Sequence, residues 1–413
     1  MTQLTFERLR AAVAGNGVAL RSRTTLLPAG GEGDKVFPPS YVIDGRADHK
    51  YVIEERKIGN NELLSRTVLL DSVASQANRA ELALLEGYED GSLIFPVPYV
   101  DFSEYGDITD YKKLTVLEAP HRAADAIFRD SMLDGTLFRL SEIGLAITDA
   151  TPRNATSLFR FSPTSLLFGL WDSTGPKGGS GSKFQRIYVS EIVGFDVSVG
   201  QKVGSRIDPL QIDRVSPEDR VFNSSDENEM WTTDEKNAKR DKKGNAEPAS
   251  RGSGKGNPGQ PSKINHGNIP PTIDAESGGV TISKGMQTTL ISFAALRRLR
   301  FRDFDKNAEI AARTAIAALG VAAIAYQHNM DFDLRSRCLL VPTNPLSLEL
   351  LGRDGAPAEI FDIDRKTAAE IVSSASKHAV KSGIGWDTKE LRLVPAPKLI
   401  ELIRRSRSQS ASG

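Results

Sequence analysis

Apolar residues recur at helical spacing through 4–13 and alternate with polar ones through 18–27. The chain is therefore expected to open on a short helix followed by a strand, in which Ala19, Arg21, Arg23 and Thr25 share one face. Two more strands are predicted at 51–56 and 66–70, after a Gly- and Pro-rich stretch at 29–39. Asp71 or Ser72 then caps a helix reaching residue 86, with Val73, Ala77, Ala80 and Leu84 on its packing face. Ser72, Gln76 and Arg79 form a polar stripe beside that face, expected to remain available. Helices are predicted at 122–129 and 154–161, an apolar strand at 165–171, and another strand at 184–193.

Between those two strands lies a Gly-rich basic loop, D-S-T-G-P-K-G-G-S-G-S-K at 172–183, so strand, loop and strand make a hairpin. Regular structure is predicted again at 280–282, in an apolar and basic segment at 286–302, in a helix at 308–327, in a strand at 332–340 and in a helix at 366–381. Strands are often adjacent and never settle into a long alternation with helices, which predicts an α+β layer architecture. No internal repeat is visible.

Composition refines this picture. The chain has 413 residues with hydrophobic and charged fractions typical of globular proteins. Residues 216–264 are rich in Asn, Asp, Lys, Gly, Ser and Pro. The expected organisation is a body formed by 1–209 and 265–400, a polar mobile insertion at 210–264, and a disordered tail at 401–413. The 314–326 stretch is too short to cross a bilayer, which needs roughly 20 residues, and reads as a buried helix. The first residues lack the pattern of a signal peptide. Cys338, the single cysteine, excludes an intrachain disulfide and fits a reducing cytoplasm. It reads as a small buried hydrophobe.

Fifty-three Lys and Arg balance 53 Asp and Glu, so any binding of nucleic acid must rest on a local basic patch. The Gly-rich loop does not fit a mononucleotide site: no Lys followed by Ser or Thr stands at P-loop spacing, and a strand rather than a helix follows. It can track a polynucleotide backbone, glycines permitting close approach while Lys177, Lys183 and Arg186 face phosphates, or it can be a flexible tip with solvated lysines. His121 and Arg122, with Asp125 a turn later, can form a base and its orienter or a structural or RNA-contacting group. Asp208 can bind a metal or cap a turn. Arg297, Arg298, Arg300 and Arg302 can hold phosphate or form a solvated face.

Several blocks carry a resemblance: L-L-D-S-V-A-S-Q-A-N-R-A-E at 69–81, P-H-R-A-A-D-A at 120–126, N-A-T-S-L-F-R at 154–160, and F-G-L-W-D-S-T-G-P-K-G-G-S-G-S-K-F-Q-R at 168–186. They continue with V-S-E-I-V-G at 189–194, S-R-I-D-P-L at 205–210, G-N-I-P-P at 267–271 and A-L-R-R-L-R-F at 295–301. In this order they resemble the guide-RNA-binding backbone subunits of the type I CRISPR interference complex (Cascade) of subtype I-G, formerly I-U. The resemblance implies an RRM-like (ferredoxin-like) palm of the RAMP superfamily with finger and thumb insertions.

It also implies a cytoplasmic, multi-copy, non-enzymatic subunit in antiviral defence, with no cofactor and no membrane. Copies would stack head to tail along the spacer of a CRISPR RNA, leaving bases free to pair with target DNA beside the other subunits and a helicase-nuclease. RNA contacts expected from it are Ser72, Gln76, Arg79, His121, Arg122, Lys177, Lys183, Arg186 and Arg206, with Arg21 and Arg23 in reserve. Two rivals remain: a RAMP-type RNA endonuclease using Asp208 or His121, and an enzyme holding a phosphorylated small molecule in the Gly-rich loop.

Overall fold

The computed structural model describes residues 2–42, 48–58, 63–175, 181–226, 228–250 and 257–411. In the first of its two compact units (Met1–Tyr41, Tyr51–Ser198 and Val280–Glu401) the labelled elements are α1 (Phe6–Ala14), β1 (Gly17–Pro28), β2 (Ile53–Ile58), β3 (Leu63–Asp71), α2 (Val73–Glu89), β4 (Leu170–Trp171), β5 (Lys183–Phe184), β6 (Tyr188–Phe195), β7 (Lys284–Ser292), α3 (Lys306–Asn329), β8 (Ser347–Gly352), β9 (Glu359–Asp362) and α4 (Arg365–Lys381). The architecture is α+β.

Its main sheet runs β9, β8, β1, β7, β6, β3, β2, each strand antiparallel to the next, with Thr2–Gln3 added in parallel beside β9. Register pairs Leu20 with Ile291, Ser22 with Thr289 and Thr24 with Gln287. All six are buried on one face, and Tyr188 and Ser190 continue it on β6. Directly opposed residues in an antiparallel sheet point to the same side, so Arg21, Arg23, Thr288, Leu290, Val189 and Glu191 lie on the other, less covered face. There Arg21 and Arg23 both pair with Glu349.

Helices α2 and α3 cover the buried face. Of α3, nearly every residue from Ala308 to Gln327 is buried, and the most apolar window of this helix is 89% enclosed. Ala-rich composition allows such depth because small side chains let neighbours approach: a Cβ on Gly320 would come within 2.9 Å of Ile291 Cδ1, and one on Gly87 of α2 within 2.5 Å of the Tyr326 ring. Where α2, α3 and the sheet meet, polar groups satisfy one another. The Gln76 carbonyl oxygen accepts from Ser190 Oγ (3.0 Å), Gln287 Nε2 (2.8 Å) and Gln327 Nε2 (3.0 Å), while its amide donates to Asp71 at 2.6 Å. Such a network is tolerated in a core because its members find partners.

Four predicted elements take another form, the first being the strand expected at 184–193, which divides into β5 and β6 in different sheets. The stretch expected as a strand at 165–171 folds mostly as a helix, Pro163–Phe168, with proline in its first turn, where it loses no helical hydrogen bond. The segment expected as one helix at 122–129 divides at Asp125, whose extended backbone separates a 3-10 turn, Arg122–Ala124, from a short helix, Ala126–Arg129. The strand expected at 332–340 is two short strands, Phe332–Asp333 and Leu339–Pro342, paired as a hairpin. A helix, Pro397–Ala411, occupies most of the tail expected to be disordered, its stripe of Leu399 and Ile400 being buried. Cys338 is buried, as its reading as a small hydrophobe requires.

The second unit comprises Val42–Lys50, Val199–Gly279 and Leu402–Gly413. Its longest pairing is an antiparallel ribbon of Lys202–Arg206 with Ile269–Asp274, which exposes Val203 and Ile273 directly opposite each other. The polar segment between the ribbon strands carries a small pairing, Phe222–Asn223 with Trp231–Thr232, and turns closed by side chains such as Asp226, Asp234 and Asp241.

Candidate nucleic-acid interface

The Gly-rich loop rises from a short hairpin whose base is firmly built. Helix Pro163–Phe168 ends at Gly169, which has φ 87°, a conformation that costs glycine little and other residues much. Strand β4 follows and pairs with β5, placing Lys183 opposite Trp171 and Phe184 opposite Leu170. Leu170 and Phe184 are buried, so alternation drives Trp171 and Lys183 outward. Trp171 is 58% exposed, and the Lys183 ammonium lies 5.4 Å from the centre of its ring.

Both stems of the loop are anchored. Buried Asp172 accepts two hydrogen bonds from Arg139 Nη2, at 2.9 and 3.0 Å, and one from the Thr174 amide. On the return stem the Ser182 hydroxyl lies 2.7 Å from the Ile147 carbonyl oxygen. The tip, including Lys177, lies outside the described residues.

Beneath the hairpin sits a buried ion pair. Arg122 Nε and Nη2 donate to the two carboxylate oxygens of Glu81 at 2.6 and 2.8 Å, and Arg122 Nη1 donates to the Gly169 carbonyl at 3.1 Å. Burial pushes the Glu81 carboxyl up to about 7, against the opposing pull of Arg122. The stem of Arg186 packs beside Gly169: a Cβ there would meet Arg186 Cγ at 2.9 Å. Its guanidinium, half-buried and near Arg122, has its pKa lowered first by burial and then by that like charge. Among the described residues it makes no hydrogen bond.

The expected RNA-contacting residues thus separate by environment. Lys183 is exposed, and so is His121, whose backbone amide donates to Asp125 Oδ2. Asp125 therefore caps the turn and does not orient the imidazole. Gln76 and Arg122 correct the expectation of available side chains: Gln76 is 0% exposed and Arg122 7%, and both are saturated by internal partners. Ser72 is the N-cap of α2, its hydroxyl accepting from the Ser75 amide at 3.2 Å. Arg79 donates to Asp71 and to the Leu334 carbonyl, joining α2 to the chain after α3.

Arg206, in the second unit, donates from Nε and Nη2 to the Gly267 carbonyl at 3.0 and 2.7 Å. Next to it Asp208 accepts from the amides of Gly267 (2.9 Å) and Leu210 (3.0 Å), which hold its carboxyl below the usual range. That is the turn-capping role, and among the described residues no group of three or more metal-binding side chains occurs. The arginine run is also partly structural: Arg297 donates to the Gly15 and Gly17 carbonyls, Arg298 to Gln185 and Arg300 to Glu309.

Trp171 is the exposed functional candidate that charge-based reading passed over. A signal was present, since a tryptophan beside a basic Gly-rich loop pairs a stacking surface with cations.

Residues 20–199 match the family model described as CRISPR-associated protein GSU0053. The match points to a role in CRISPR defence. Its span takes in the α2 block, the Arg122 turn, the whole hairpin and all of β6 described above. No match is found among the curated proteins.

Proposed function

We propose that this chain is the multi-copy backbone subunit of a subtype I-G CRISPR interference complex, binding the spacer of a CRISPR RNA along its phosphates. In this reading the α+β body is a RAMP-superfamily palm, and the second unit is one of its finger or thumb insertions. Copies associate head to tail, a contact that propagates along a linear ligand instead of closing. The pairing edges of the guide's bases stay free for target DNA, with the other subunits and a helicase-nuclease as further partners. The protein works in the cytoplasm and performs no catalysis itself.

The observation that carries the reading is the anchored hairpin within the family-matched span, which turns Trp171 and Lys183 outward above the buried Glu81–Arg122 pair. Rigid stems, an exposed cation and an aromatic surface suit single-stranded nucleic acid, which is held by charge and stacking without base readout. The engagement of Asp208 with backbone amides speaks against its acting as a cutting carboxylate.

The test is to co-express the chain with a CRISPR array and its partner subunits, purify it at moderate salt and sequence any bound RNA. Spacer-length guide in a large multi-copy particle is expected. A nucleic-acid-free monomer would overturn the proposal, as would RNA cleavage that Asp208→Ala or His121→Ala abolishes.

A further inference from the structure

Phosphate contacts alone leave the most conspicuous side chain of the hairpin unused. Trp171 is 58% exposed although the adjoining pair, Leu170 and Phe184, is buried, and the strand pairing with Lys183 fixes its backbone. An indole left in water forgoes the burial that normally stabilises it. Here the Asp172–Arg139 bonds and the Arg122–Gly169 bond hold the segment that presents it. Exposure is thus built into the hairpin.

We infer that Trp171 is a stacking platform for one base of single-stranded RNA, with Lys183 beside it receiving the adjoining phosphate. The ring supplies a flat surface that accepts any base, and the ammonium, which lies over the ring 5.4 Å from its centre, is close enough to turn to the phosphate of a base stacked there. Arg186, without a hydrogen-bond partner among the described residues and with Glu81 already engaged by Arg122, adds positive charge at the foot of the hairpin. Stacking of this kind adds affinity without sequence preference, which is what a guide of arbitrary sequence requires. The inference rests on the RNA-binding reading above and adds a base contact to it.

The test uses the full chain and a fluorescently labelled single-stranded RNA, with inorganic polyphosphate as a baseless competitor. Trp171→Ala should weaken RNA binding by about 5- to 150-fold, the range for losing one stacked base, while leaving polyphosphate binding unchanged. Trp171→Phe should retain most of the affinity. RNA should also quench indole fluorescence in the wild type more than in Trp171→Phe, since Trp231 and Trp386 remain in both. If the wild type binds RNA and Trp171→Ala binds it equally well, the stacking inference falls and the RNA-binding reading stands. If the wild type binds no RNA, both fall. Equal loss of RNA and polyphosphate affinity in Trp171→Ala, unrestored by phenylalanine, would show a distorted hairpin and also overturn the stacking role.

Discussion

Glu81 and Arg122 illustrate what a single buried contact does for the hairpin. A charge taken out of water is costly, and here both charges are enclosed, so each depends on the other. Above pH 7, where the Glu81 carboxyl is ionised, Arg122→Ala strands it and releases the Gly169 carbonyl; a loss of roughly 3–5 kcal/mol is expected, readable as a drop in urea midpoint. Protonation gives a second handle. The Glu81 carboxyl is raised from 4.5 to about 7 by burial, so the folded state holds a proton that the unfolded chain gives up earlier. Its contribution to stability is full below the unfolded value and lost as pH rises through about 7. Relative to Glu81→Gln, the wild type should therefore lose stability between pH 5 and pH 8; parallel pH profiles for the two would contradict this assignment.

Elements were legible in the sequence where periodicity and a cap coincided. α2, with Ser72 before it, lies within a few residues of its predicted bounds, and so does α3, which its long apolar Ala-rich run marks as a buried helix. Arg21 and Arg23 share a face, as alternation required, and meet at Glu349. The strand misread at 165–171 has a physical cause. The apolar run 165–170 is buried throughout, and burial erases the amphipathic signal that separates strand from helix. Gln76 escaped for a related reason: on a helical wheel it falls in a polar stripe, but the sheet and α3 close over that stripe and satisfy it from within. At the element level, close helix packing makes Gly87 sensitive. Its Cβ would sit 2.5 Å from the Tyr326 ring and 2.7 Å from Leu93. Gly87→Ala should lower stability by roughly 1–3 kcal/mol, the usual cost of overpacking, measurable as a lower Tm; an unchanged Tm would mean that α2 and α3 slide apart freely.

For the whole molecule, a net charge of zero conceals an uneven distribution of compensation. Arg21 and Arg23 are answered by Glu349, Arg79 and Arg335 by Asp71, and Arg365 by Glu86 and Asp90. Among the described residues Lys183 meets the Trp171 ring and forms no ion pair, and Arg186 shares in a carboxylate already bonded to Arg122. Compensated cations release few counterions when a phosphate arrives, so the salt dependence of RNA binding should come from those cations on its path that lack an acidic partner. On single strands the slope of log affinity against log salt is about −0.7 per phosphate neutralised. Lys183→Ala should thus make the slope shallower by about 0.7, while Arg365→Ala leaves it unchanged. Titrations at four or more salt concentrations decide between them. A slope that Lys183→Ala does not alter would take the hairpin off the path of the RNA, however tightly the protein binds it.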